Sequence, residues 1–132
     1  MTLPEILELC EVRSGATEGA LHDAERQLGH PLPEDYKAVL LESDGLEGFI
    51  SGDVYISFWS ASELMSLNKA YSVSEFVPGV TLLGTDGGDT GYGFRKDAER
   101  YEYGAVPLVG MEPGAVSIIG RTFTELLERL VR

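Results

Sequence analysis

Leu82-Leu83-Gly84-Thr85-Asp86-Gly87-Gly88-Asp89-Thr90-Gly91-Tyr92-Gly93-Phe94 places five glycines and two aspartates between an apolar run and an aromatic pair. Glycine adopts positive φ without steric cost, and Asp bonds its own backbone, so Asp86 to Asp89 reads as a turn joining two strands. Three ligand-binding readings fail on the residues. A phosphate loop requires Gly-x-x-x-x-Gly-Lys-Ser/Thr, whereas Gly88 and Gly93 are followed by Phe94 and Arg95. A dinucleotide loop requires Gly-x-Gly-x-x-Gly opening a helix, and here the glycine order is reversed between strand-like flanks. A calcium loop requires oxygen ligands at alternate positions, which Gly87 and Gly88 fill. A hairpin points to antiparallel pairing, and the rest of the chain agrees.

Upstream of the loop, Thr17 can cap a helix running through Gln27, with Leu21, Ala24 and Leu28 on one face and Gly29 ending it. Pro31 forbids continuation. Pro33 suits the first turn of a second helix, with Glu34 and Asp35 at its positive end and Tyr36, Val39 and Leu40 as its buried stripe. Gly45 closes it. Val54 to Trp59 is β-branched and aromatic, so it reads as a strand, with Gly52-Asp53 as the turn before it. Ser60 and Glu63 form a capping box opening a helix with Leu64, Leu67 and Tyr71 on its apolar face. Downstream, Tyr101 to Val109 predicts one or two strands interrupted at Gly104 and Pro107, and Ala115 to Ile119 a last one. Thr122 and Glu125 form a second capping box before a helix burying Phe123, Leu126, Leu127 and Leu130. Residues 1–15 form a weak lead-in, where Leu3, Ile6, Leu7 and Cys10 suit a short amphipathic helix or turn. The order implies a single α+β domain over residues 1–132, with helices on a mainly antiparallel or mixed sheet.

At 132 residues the chain is long enough to bury about two-thirds of its unfolded surface. Its net charge of −12 disfavours nucleic acid as a direct ligand, because phosphate binding needs Lys and Arg. Anionic membranes are disfavoured for the same reason, and no run approaches a membrane span. A basic protein partner fits better, although acidity also serves plain solubility. The charge is uneven. Met1 to Asp53 holds twelve acids against Arg13, Arg26 and Lys37, while the remainder holds ten acids and seven bases. With Cys10 as the only cysteine, no internal disulfide can form, and a reducing cytosol is the expected compartment. No signal peptide is expected, since Pro4, Glu5 and Glu8 come early and no basic region precedes an apolar run.

The chain offers little chemistry. Cys10 lies in an acidic segment that raises a thiol pKa. His22 sits mid-helix and His30 in the turn before Pro31, neither placed as a base. No Gly-x-Ser-x-Gly elbow occurs, and His and Cys lack metal-ligand spacing. Glu34-Asp35 complements a helix dipole. Asp86 and Asp89 are the sole carboxylate pair suited to acid/base work or a divalent ion, and turn chemistry accounts for them without either. No enzyme activity, metal or cofactor is expected. Of the aromatics Trp59, Tyr92, Phe94, Tyr101 and Tyr103, most suit the core, and one or two near the glycine loop are open to act as binding anchors, Tyr92 being the candidate.

Leu28-Gly29, Leu32-Pro33-Glu34-Asp35-Tyr36-Lys37, Asp44-Gly45, Phe58-Trp59-Ser60 before Glu63-Leu64, and Gly84-Thr85-Asp86-Gly87-Gly88-Asp89 together resemble the SUKH superfamily, whose namesakes include a yeast regulator of cell-wall synthesis. The resemblance spans about Ala16 to Leu130. It implies an α+β domain without catalytic residues. It also implies a bacterial immunity protein that neutralises a polymorphic toxin, often a nuclease, or alternatively an intracellular adaptor in signalling or cell-wall control. A nuclease is basic where it grips phosphates, so a chain of this charge could cover that cleft. The expected contributors to such a surface are Glu42, Asp44, Glu47 and Asp53, joined by Asp86, Asp89 and Tyr92.

Overall fold

In a computed structural model, which describes residues 2–132, seven strands form one sheet in the order of the chain, and every neighbouring pair is antiparallel. The strands are β1 (Glu11–Val12), β2 (Leu46–Ser51), β3 (Val54–Phe58), β4 (Val80–Thr85), β5 (Thr90–Asp97), β6 (Arg100–Pro107) and β7 (Ser117–Gly120). Among the described residues six α-helices interrupt or flank this meander: α1 (Leu3–Leu9), α2 (Glu18–Leu28), α3 (Glu34–Glu42), α4 (Leu64–Ala70), α5 (Val73–Phe76) and α6 (Phe123–Leu130). The architecture is α+β with an antiparallel sheet, as the hairpin reading implies.

Helix boundaries follow local chemistry. Thr17 accepts the Ala20 amide hydrogen and opens α2, and Gly29 ends it at φ +83°. Pro33 stands at the entry to α3, whose Tyr36, Val39 and Leu40 are buried. Glu63 accepts from the Ser60 amide, opening a 3-10 turn over Ala61–Glu63 that leads into α4. Asp44 accepts the free Ala61 amide at 2.7 Å, so an acid from the end of α3 caps a helix seventeen residues on. At α6 the expected reciprocal box is displaced. Thr122 accepts from the Glu125 amide, but the Glu125 carboxylate accepts from Arg121, one residue before the cap.

Three further differences from the sequence reading have physical reasons. Residues 2–15 hold the short amphipathic helix expected there, and they are a packed part of the fold rather than a weak lead-in. Thr2 and Glu5 form a full capping box, Ile6 is wholly buried, and β1 pairs with β2. Strand β2 is not anticipated by the sequence pattern, since Gly48 and the acid Glu47 weaken its apolar alternation. Gly104 does not interrupt β6. It faces Gly93 of β5, and a Cβ there would lie 2.3 Å from the Ser117 carbonyl oxygen, so glycine lets the neighbouring strand close in.

The core gathers Tyr36, Phe58, Tyr103 and Phe123 in edge-to-face and tilted contacts with centroids 5.0–6.3 Å apart. Asp35 ties three elements over it. One oxygen accepts the Tyr103 hydroxyl at 2.7 Å, and the other accepts the Phe123 amide at the start of α6 at 2.8 Å. It thus caps a distant helix as well as standing in the first turn of its own. Lys37 bridges Glu34 and Glu25, while Glu25 also accepts the Leu32 amide. These bonds account for the Leu32–Lys37 segment as a structural clasp.

Candidate functional site

The turn between β4 and β5 is built by Asp86, whose Oδ1 accepts the amides of Gly88 (2.8 Å) and Thr90 (3.1 Å). Thr85 Oγ1 accepts the Gly87 amide, and Gly87 takes φ +84°. That conformation lets the turn settle on the Tyr55 ring, since a Cβ on Gly87 would lie 2.9 Å from Tyr55 Cδ2. The second oxygen of Asp86 accepts no hydrogen bond from the described residues.

Tyr55 divides two surface depressions. One, of about 440 Å³, is lined by Leu9, Glu11, Glu47, Gly48, Phe49 and Tyr55. The other, of about 250 Å³, is lined by Asp53, Val54, Tyr55, Asp86, Tyr92 and Leu130. Pairing of Phe49 with Tyr55 across β2 and β3 sets their rings edge to face at 5.1 Å, and Phe49 remains 58% exposed. Leu9 reaches the same wall because Gly48 lets the end of α1 approach; a Cβ on Gly48 would meet Cys10 Cα at 3.0 Å. Tyr55 donates to Glu47 at 2.9 Å, and this hydrogen bond raises the Tyr55 pKa above its ordinary value. Glu47 also pairs with Arg13 at 3.5 Å.

In the smaller depression Tyr92 is only 6% exposed and stacks on Phe58. Burial first, and then the charge of Asp86, raise its pKa. Its hydroxyl has no hydrogen-bond partner among the described residues. It is not sealed either, because Tyr36 carries the one fully enclosed side-chain polar atom without a partner among them. The Tyr92 hydroxyl therefore reaches solvent, and the depression is the opening the residue lines.

Of the residues expected at a partner surface, Asp53, Asp86 and Tyr92 meet in one depression, and Glu47 lines its neighbour across Tyr55. Asp89 is exposed on the same turn as Asp86, and its carbonyl accepts the Leu108 amide. Glu42 and Asp44 line neither depression; Glu42 is exposed at the end of α3, and Asp44 holds Ala61. Sequence reasoning missed Tyr55, Phe49, Leu9 and Glu11. The alternation of Glu47, Phe49 and Tyr55 around the Gly52-Asp53 turn was the signal for them, because paired strands put those residues on one face.

Other chemistry is sparse. His30 is occupied at both ring nitrogens, Nδ1 with the Pro31 carbonyl and Nε2 with Thr81 Oγ1, and His22 is exposed on α2. Burial raises the Cys10 thiol pKa, away from reactivity. Among the described residues no group of three or more His, Cys, Asp or Glu could hold a metal ion, and no helix is long and apolar enough to cross a membrane. The apolar crease over Leu82, Gly93 and Gly104 measures about 10 Å³, room for no more than a water.

No curated protein matches the chain. A family model does, over residues 15–129, which takes in every element from α2 onward and all but the last residue of α6, and leaves α1 and β1 outside. The clasp of Leu32–Lys37, the Asp86 turn and the antiparallel strands from β2 to β7 therefore sit within a match covering most of the chain, which belongs to the SMI1 / KNR4 family (SUKH-1).

Proposed function

We propose that this protein is a non-catalytic immunity protein of the cytoplasm that binds and neutralises a basic toxin domain, of nuclease type. SUKH domains are known for immunity-like roles and are generally non-catalytic, and membership of that family supports the reading. The observation that carries it is a surface on which exposed aromatic area and uncompensated carboxylates coincide. Glu11, Asp53 and Asp86 have no cationic partner among the described residues, and they line the depressions that carry the exposed Phe49 and the half-buried Tyr55, while Tyr92 is a buried wall of the smaller one. Aromatic anchors supply binding energy, and a charge of −12 speeds capture of a cationic partner and suppresses wrong ones. An enzyme would need a nucleophile, base or metal set; here His30 is held at both ring nitrogens, Asp86 builds its turn, and burial raises the Cys10 thiol pKa.

The test is capture of partners from the source cells by the tagged protein, followed by expression of each partner with and without this chain. The expected outcome is a partner that arrests growth alone and is harmless in its presence. Partners drawn only from wall-synthesis or signalling machinery, with no toxicity, would replace this reading by an adaptor role.

A further inference from the structure

The paired depressions on either side of Tyr55 differ in a way that specifies an occupant. The larger holds apolar area, Leu9 and Phe49, under the carboxylates of Glu11 and Glu47. The smaller is the more polar, lined by Asp53, Asp86 and Tyr92, whose hydroxyl has no partner among the described residues and is not sealed. Among the described residues no Lys or Arg lines either one. Asp86 keeps one oxygen uncommitted, because the turn uses only Oδ1.

We propose that the smaller depression is a receptor for an arginine guanidinium of a basic protein partner, with an apolar partner residue beside it seated on Phe49. A guanidinium carries five donors in a plane. Here it meets two carboxylates without a cation of their own and a hydroxyl able to accept, beside the Tyr55 ring that lines the same depression. A phosphate or acidic peptide would meet the same carboxylates as repulsion. A second copy of this chain is disfavoured too, because a two-fold contact would set four carboxylates against the same four. The partner's arginine therefore supplies the charge that the cluster lacks. The larger depression is partly made by α1 and β1, which lie outside the family match, so Leu9 and Glu11 are specificity contributed by this chain's own N-terminal segment.

This inference rests on the protein-binding reading above, but its test does not require the partner. The probe is acetyl-Leu-Arg-amide titrated into the ¹⁵N-labelled protein at low salt, with the citrulline analogue as an uncharged isostere. Saturable shift changes are expected at the amides of Asp53, Tyr55, Gly87 and Tyr92, and none with citrulline. Asp53→Asn with Asp86→Asn should weaken arginine binding about tenfold, two carboxylate contacts being lost. Asn keeps the Oδ1 that the Asp86 turn requires, so the fold is retained and the amide spectrum reports that directly. Glu99→Gln with Glu112→Gln changes net charge equally and should leave binding unaltered.

Shifts scattered over the surface, equal response to citrulline, equal weakening by both double variants, or no saturable binding at millimolar peptide would overturn the proposal. So would a dimer in sedimentation that Phe49→Ser dissociates, since a second copy would then occupy the face. If the chain protects cells from a toxin yet ignores arginine, the neutralising role stands and this receptor falls. If it binds arginine specifically but has no toxin partner, the receptor stands and the neutralising role falls.

Discussion

Gly87 and Gly88 are adjacent in sequence and opposite in requirement. Gly87 holds φ +84° against the Tyr55 ring, while Gly88 is not at positive φ and a Cβ there would meet nothing closer than Asp86 Oδ1 at 3.5 Å. Gly87→Val should therefore cost about 1–2 kcal/mol or more in denaturant unfolding, from left-handed backbone and contact with Tyr55 together. Gly88→Ala should be near neutral. The Gly-Asp-rich composition marked this stretch as a turn, but not which glycine bears the strain; that depends on where Asp86 directs its two bonds. Tyr36 supplies a second residue-level prediction. Its hydroxyl is sealed in the core without a partner, and burial, then the nearby Asp44 charge, push its pKa up. Removing an unsatisfied buried group leaves only van der Waals contacts, so Tyr36→Phe should leave stability unchanged or raise it by up to about 1 kcal/mol. A clear loss on calorimetry would mean that an internal water satisfies the hydroxyl.

At the scale of elements, the fold depends on side chains that act where backbone pairing stops. Strand β4 outruns β3, which pairs with it only at Thr85 and Gly84. Asn68 of α4 takes over at Leu82, donating to its carbonyl at 2.9 Å and accepting its amide at 2.8 Å. Asp35 does the same work between α3, β6 and α6. Asp35→Ala strands a tyrosine hydroxyl and a helix amide, so it should destabilise by about 2–3 kcal/mol. Glu34→Ala removes a largely exposed partner of Lys37 and should cost well under 1 kcal/mol. Comparing their unfolding midpoints checks the ranking, and Tyr103→Phe should recover part of the Asp35→Ala loss. These elements were legible to different degrees. Helices α2, α3 and α6 announced themselves through caps and apolar spacing, and the hairpin through its glycines. Strand β2 did not, because Glu47 and Phe49 are ordinary strand residues only once Tyr55 lies opposite. The partnership of Asp35 with Tyr103 and Phe123 spans the chain, and no local pattern encodes it.

At the scale of the whole molecule, the uneven charge acquires a direction. Glu11, Glu47 and Asp53 come from the acidic first part of the chain, and the meander sets them beside Asp86 from the less acidic remainder. Carboxylates from both parts thus reinforce one field around Tyr55. The sequence could rank the first part as more acidic but could not assemble this face, which exists only through the registers β1–β2, β2–β3 and β4–β5. Long-range attraction acts before contact and is screened over about 10 Å at 0.1 M salt, so it governs the association rate rather than dissociation. With the neutralised partner in hand, raising salt from about 0.05 to 0.5 M should slow association at least about tenfold while changing dissociation little. Glu11→Lys with Asp53→Lys should slow capture far more than Glu99→Lys with Glu112→Lys, although both pairs shift net charge equally. Truncation of Phe49 to Ala should act on the other constant, raising the dissociation rate with association nearly unchanged, because an aromatic anchor contributes only after docking. Stopped-flow mixing separates the two constants. An on-rate indifferent to salt, or equal slowing by the two reversals, would mean that the acidic face around Tyr55 does not guide the encounter.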